Sequence, residues 1–149
     1  MFLIMLDQHQ KNIATFIHLS TFSRFIVPFG NFLGPIILWI TNKDKSEFID
    51  AHGKQAINFQ ISILLYAIIL GTLTIPFFVF KIFSGIDIFN FDGFHFDFHK
   101  ASPLLFVGGF LGVVAVIGFI MELVFIIVAS LKARDGEYYQ YPLTINFLK

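Results

Sequence analysis

Few side chains in this sequence of 149 residues stand where they can do chemistry, and the clearest of them is an acid inside an apolar run. Glu122 lies ten residues before Lys132. On a helix that spacing puts its carboxyl about 15 Å inside the end of the span, near the middle of a hydrocarbon core about 30 Å thick. Insertion scales charge roughly 2.5 to 3.5 kcal/mol for a charged group there, so Glu122 has to be paired, protonated or turned to water. One reading is a proton relay or polar gate with Arg24 or His18 as counter-group. The plainer and favoured one is a structural acid, hydrogen-bonded to a neighbouring helix.

A second constellation is Ile86-Asp-Ile-Phe-Asn-Phe-Asp-Gly-Phe-His-Phe-Asp-Phe-His99, two short strands around Asp92-Gly93, a dipeptide that favours a type I′ turn. Pairing Phe91 with Phe94 puts five phenylalanines on one face and Asn90, His95, Asp97 and His99 on the other. A metal site from His95, Asp97 and His99 is a weak candidate, because the first and last lie about 13 Å apart along a strand. The favoured reading is an aromatic face resting on the headgroup layer. No cysteine is present, which excludes thiolate metal sites and cysteine catalysis. No nucleophile, base and oxyanion set and no phosphate-binding loop is visible, so neither an enzymatic activity nor a cofactor is expected.

The elements that must position these residues are set by composition. Hydrophobic residues make up 56% and charged ones 13%, against roughly 25% charged in an ordinary soluble domain, and the mean hydropathy is +0.79. Such a chain cannot cover a water-facing surface, so a soluble enzyme is excluded. Ten basic and ten acidic residues leave no electrostatic footprint for nucleic acid. The apolar stretches 13–41, 55–83 and 103–131 each meet the length for a membrane crossing of about 20 residues. The expected fold is therefore an all-α polytopic membrane bundle forming one domain over 1–149. It has two full spans plus an amino-terminal helical hairpin broken by Pro and Gly, giving three to four membrane segments, and a short β-hairpin in the loop 84–102. Met1 to Leu6 is read as an uncleaved interfacial stub.

The first stretch is interrupted by Pro28, Gly30, Gly34 and Pro35, so a kink or full turn is expected near Phe29 to Asn31. It is either a single bent span with its amino end outside or, as favoured here, a hairpin entering and leaving on the cytoplasmic side, with arms of about 12 to 16 residues that are too short to cross fully. His18, Thr21 and Arg24 form a polar stripe on its first arm, and Asn31 falls at the hairpin tip. The second span opens with Gln55, Asn58, Gln60 and Ser62, amides that lipid does not tolerate and that should face a helix or the headgroups. The loop 42–54 reads as a solvated connector, and the tyrosines of the tail as an interfacial belt. The third span opens with Ser102 as N-cap and Pro103 at its first position, and ends at Gly136. Gly108, Gly112, Ala115 and Gly118 run along it as a small-residue stripe where another helix should pack. Lys43, Lys45, Lys54, Lys132, Arg134 and Lys149 against Lys81 and Lys100 place the first loop and the carboxyl tail in the cytoplasm.

His18-Leu-Ser, Pro28-Phe-Gly-Asn-Phe-Leu-Gly-Pro-Ile-Ile-Leu-Trp39, Asp50-Ala-His-Gly-Lys-Gln-Ala-Ile-Asn-Phe-Gln-Ile-Ser62 and Asp135-Gly-Glu-Tyr-Tyr-Gln-Tyr-Pro142 resemble a bacterial family of membrane proteins described as a domain of unknown function and as Tic-twenty-like. Magnetosome membrane proteins that influence crystal growth belong to similar families. The channel subunit of the chloroplast inner-envelope translocon is a more distant relative, with four helices. The resemblance covers about residues 10 to 149 but not the phenylalanine-rich loop. It implies a bacterial inner-membrane protein whose partners are the lipid bilayer and other membrane subunits or copies of itself. Its role is then an accessory or scaffold subunit, for example in protein translocation or secretion. The alternative is a small oligomeric transporter or channel around Glu122.

Overall fold

The computed structural model describes residues 7–84, 89–90, 95–96 and 98–149, with side chains over 7–80 and 105–149. Helix α1 (Gln8–Leu19) runs on into a 3-10 stretch, Ser20–Phe25. The chain then reverses into α2 (Gly30–Ile40), passes a 3-10 turn at Lys43–Lys45 and enters the long α3 (Glu47–Ser84). Strands β1 (Phe89–Asn90) and β2 (His95–Phe96) precede the equally long α4 (Phe98–Asp135).

The reversal falls where Pro28 and Gly30 demand it. Phe29 stands in the left-handed region with φ of 60°, a conformation that costs roughly 1 kcal/mol or more for a residue with a Cβ. The turn is held by local bonds, described below. Gly34 is needed at its position because a Cβ there would come within 2.6 Å of the Ser20 carbonyl oxygen. The two arms can therefore touch backbone to backbone.

Two expectations are corrected. Three to four membrane segments become two candidate spans: among the described residues only Glu47–Phe80 and Leu105–Asp135 are long and apolar enough to cross, with hydropathies of 2.4 and 2.9. Helices α1 and α2, of 12 and 11 residues, reach only about 18 and 16 Å at 1.5 Å per residue. Pro28 and Gly30 divide an apolar stretch that composition alone would count as one crossing. The β-hairpin expected over 86–99 contracts to a two-residue ladder, Phe89 opposite Phe96 and Asn90 opposite His95, because α4 already begins at Phe98. The turn at Asp92-Gly93 and the stub Met1 to Leu6 lie outside the described residues. Both long helices also start ahead of their apolar runs, α3 at Glu47 and α4 at Phe98. Most of the connector 42–54 is thus helical.

The chain divides into two compact units, Met1–Leu64 with Glu122–Lys149, and Leu65–Met121. The first has a true core. Ala14, Phe48 and Ala133 meet in one cluster; Ile17, Ile49 and Ala56 form a second, flanked by Leu38 and Trp39; Phe59, Ile126, Ala129 and Tyr141 form a third. Alanines in each cluster let the helices approach closely. In the second unit the side chains of both helices point outward. Leu73, Phe106 and Phe110 are 70, 76 and 69% exposed. An apolar solvent is what such surfaces require.

Candidate functional site

The polar residues of the first unit converge inside its core. The Arg24 guanidinium is paired with the Glu122 carboxylate, Nη1 to Oε1. Glu122 is 5% exposed, and the pair meets the requirement that a charge in an apolar span be neutralised. Asn31 Nδ2 donates to Gln60 Oε1 at 2.8 Å, tying the first turn of α2 to α3. Trp39 Nε1 donates to Asp50 Oδ1 at 2.8 Å, and Asp50 also takes the Lys54 ammonium at 2.6 Å. Gly53 permits this approach, since a Cβ there would collide with the Trp39 ring.

A second group is built on His18, which is fully buried. Its Nε2 lies 2.8 Å from His52 Nδ1, and its Nδ1 lies 2.9 Å from the Tyr141 hydroxyl. A neutral His18 satisfies both contacts in either tautomer, because His52 and the phenol can each donate or accept. Burial first, and then the neighbouring His52, pushes the His18 imidazole well below the usual histidine range. Burial, followed by Tyr139 and Glu122, holds the Tyr141 phenol well above its ordinary value. Phe48 packs edge-on to His52 at 4.3 Å, and Phe59 stacks on Tyr141 at 4.1 Å. The group is a closed, uncharged chain inside aromatic walls.

The carboxyl tail is the third part. After Gly136, whose φ of 82° ends α4, it folds back along α3. Its backbone N–H groups at Tyr141, Ile145 and Leu148 donate to Gln55 Oε1, Ser62 Oγ and Asn58 Oδ1. Asn58 Nδ2 in turn donates to the Leu148 carbonyl at 3.0 Å. A helix face of amides and a hydroxyl thus does for the tail what a neighbouring strand would do in a sheet.

The chain matches the magnetosome magnetite crystal formation protein family over residues 9–148. It belongs to that family. No curated protein matches the chain, and no solved structure matches it. The protein is therefore a small membrane protein of a magnetosome family with two candidate spans, and the match falls on the magnetosome side of the resemblance drawn from sequence.

Within this family member the singled-out residues separate into three groups. Arg24 and Glu122 meet, as do Asn31 and Gln60, while His18 and Asn58 serve other partners, His52 with Tyr141 and the backbone of Leu148. Of the stripe on α4, Gly108 faces Phe78, with 3.5 Å from a built Cβ to the ring; Gly112 and Gly118 have nothing within 4 Å, and Ala115 is exposed. The side chains of His95, Asp97 and His99 lie outside the described residues. Gln55 and Ser62, expected to face a helix or the headgroups, bind the tail backbone instead, whereas His52 and Tyr141 take structural positions that periodicity does not announce. The available signal was their place in the motifs that carry the family resemblance.

Proposed function

We propose that the protein is a non-enzymatic scaffold or accessory subunit of the magnetosome membrane, acting in magnetite crystal formation by holding an assembly together. In this reading the assembly it serves is one that forms magnetite, in place of a translocation or secretion complex. The observation that carries the proposal is the Arg24–Glu122 pair: the acid inside the α4 span is engaged by a cation of the same chain, as a structural acid would be. The remaining buried amides and imidazoles likewise bind other parts of the fold. Other membrane subunits or further copies of the chain are the partners this role calls for.

The test replaces the gene, in a host that makes magnetite, by a double variant, Arg24→Gln with Glu122→Gln. Two amides retain shape and hydrogen bonding but cannot ionise. A scaffold carrying them restores crystal number and size to those obtained with the unaltered chain. A transporter that uses the carboxyl to move protons or ions gives the crystals of the deletion strain at normal protein levels, and that result would overturn the proposal.

A further inference from the structure

The amino-terminal hairpin presents an exposed apolar surface. At its tip Phe25 is 63% exposed, Ile26 84% and Phe29 76%. Along α2, Leu33, Ile37 and Ile40 continue the surface at helical spacing, 48, 58 and 54% exposed. The opposite face of α2 carries Gly30, Asn31, Gly34 and Trp39, which are committed to the inside.

What covers this surface is read from the backbone beneath it. Ile26 and Val27 N–H donate to the Ser23 carbonyl at 3.0 and 2.9 Å, and Gly30 N–H donates to Val27 at 3.0 Å. Phe32 and Leu33 N–H both donate to Phe29 at 3.0 Å. The Ser23 hydroxyl donates to the Gly30 carbonyl at 2.6 Å, and Pro28 has no N–H to satisfy. Pairing of this kind suits hydrocarbon, where an open backbone group costs several kcal/mol. The one charge near the tip, Arg24, is cancelled by Glu122.

The feet of the hairpin have the opposite character. Asp7, Gln8, His9 and Asn12 are exposed at the start of α1, and Lys43, Asp44 and Lys45 follow α2. Trp39 sits at that level with Lys43 over its ring, 5.5 Å from the centroid, as an interfacial anchor would. Between foot and tip the shorter arm measures about 16 Å, roughly half of a core about 30 Å thick.

We infer that the hairpin is a one-leaflet insertion: the surface Phe25–Phe29, Leu33, Ile37 and Ile40 binds the acyl-chain layer of the leaflet its polar feet face, without crossing to the other. It adds no third span to the two already described.

The chain has no cysteine, so single nitroxide labels can be placed at Ile26→Cys and Asn12→Cys in the full chain, reconstituted into phosphatidylcholine–phosphatidylglycerol vesicles. Collision with oxygen, which concentrates in acyl chains, is compared with collision with a water-soluble nickel chelate. At Ile26 oxygen should win by several-fold, with a depth short of the bilayer midplane; at Asn12 the chelate should win. Free access of the chelate at Ile26 would place the tip in water and overturn the inference. So would shielding from both reagents, which means a protein partner, or labelling from the opposite side of the membrane. Val27→Cys provides a second position if the first variant fails to fold, as judged by Trp39 fluorescence.

Discussion

The carboxamide of Asn58 grips Leu148 by both of its backbone groups, accepting from the N–H at 2.8 Å and donating to the carbonyl at 3.0 Å, across 90 residues of sequence. This bond ties the end of the tail to α3 independently of what side chain position 148 carries.

Asn58→Ala should therefore release the end of the tail, since it strands two backbone groups at a cost of about 1 to 3 kcal/mol. Ser62→Ala, which removes the acceptor for Ile145 N–H and the hydroxyl's own bond to the Asn58 carbonyl, should cost about 1 kcal/mol. Limited proteolysis followed by mass spectrometry checks the order: cleavage after Tyr141 should rise more in the first variant than in the second.

The glycines divide by what surrounds them. Gly34→Ala drives a methyl toward the Ser20 carbonyl and should lower stability by about 1 to 3 kcal/mol, as overpacking does. Gly112→Ala enters open space and should change the isolated chain by less than about 0.5 kcal/mol. If the stripe on α4 docks a partner, Gly112→Leu weakens association in mild detergent while Val113→Leu does not. Thermal unfolding of the single chain and size-exclusion profiles of the assembly report the two effects separately.

Acid should loosen the first unit. His18 resists protonation when folded, with burial the main cause and His52 the second, so the unfolded chain takes up a proton that the folded chain refuses. Stability is whole above the ordinary histidine value of 6.5 and falls as the pH drops below it. His18→Gln keeps hydrogen-bonding capacity without titrating, and its stability should vary less between pH 7 and pH 5. Urea titrations of both chains at several pH values measure the slopes.

On the lysine and arginine count, Ser46 and the carboxyl tail are expected in the cytoplasm and Asn90 on the other side of the membrane. In intact cells an impermeant thiol reagent should label Asn90→Cys and spare Ser46→Cys and Gln8→Cys. Labelling of Ser46 with protection of Asn90 reverses the orientation.

The turn at Phe29 was legible because Pro28 and Gly30 act on the backbone directly, wherever the rest of the chain lies. Gly136 was legible for the same reason. The depth of the first stretch was left open, because its apolar length also allows one bent crossing; the reversal makes two arms that each reach about half way. The starts of α3 and α4 were missed because charged and polar first turns carry no apolar period, although Glu47 and Asp50 suit a helix start. Glu122 stood out through the penalty on its charge, which put forward Arg24 or His18 as counter-group; Arg24 is the one that meets it. The tail was opaque. Its bonds join helix side chains to backbone, and backbone groups are the same in every sequence, so tyrosines that read as an interfacial belt include Tyr141, which is 2% exposed.

The separation of 98 positions between Arg24 and Glu122 also imposes an order in time. During synthesis the hairpin emerges with its guanidinium long before the acid exists. Until α4 is made and lodged beside it, Arg24 lacks this counter-charge, and burying the arm that carries it costs what an unpaired charge in hydrocarbon costs. The hairpin is thus translated first and completed only once Glu122 has joined it.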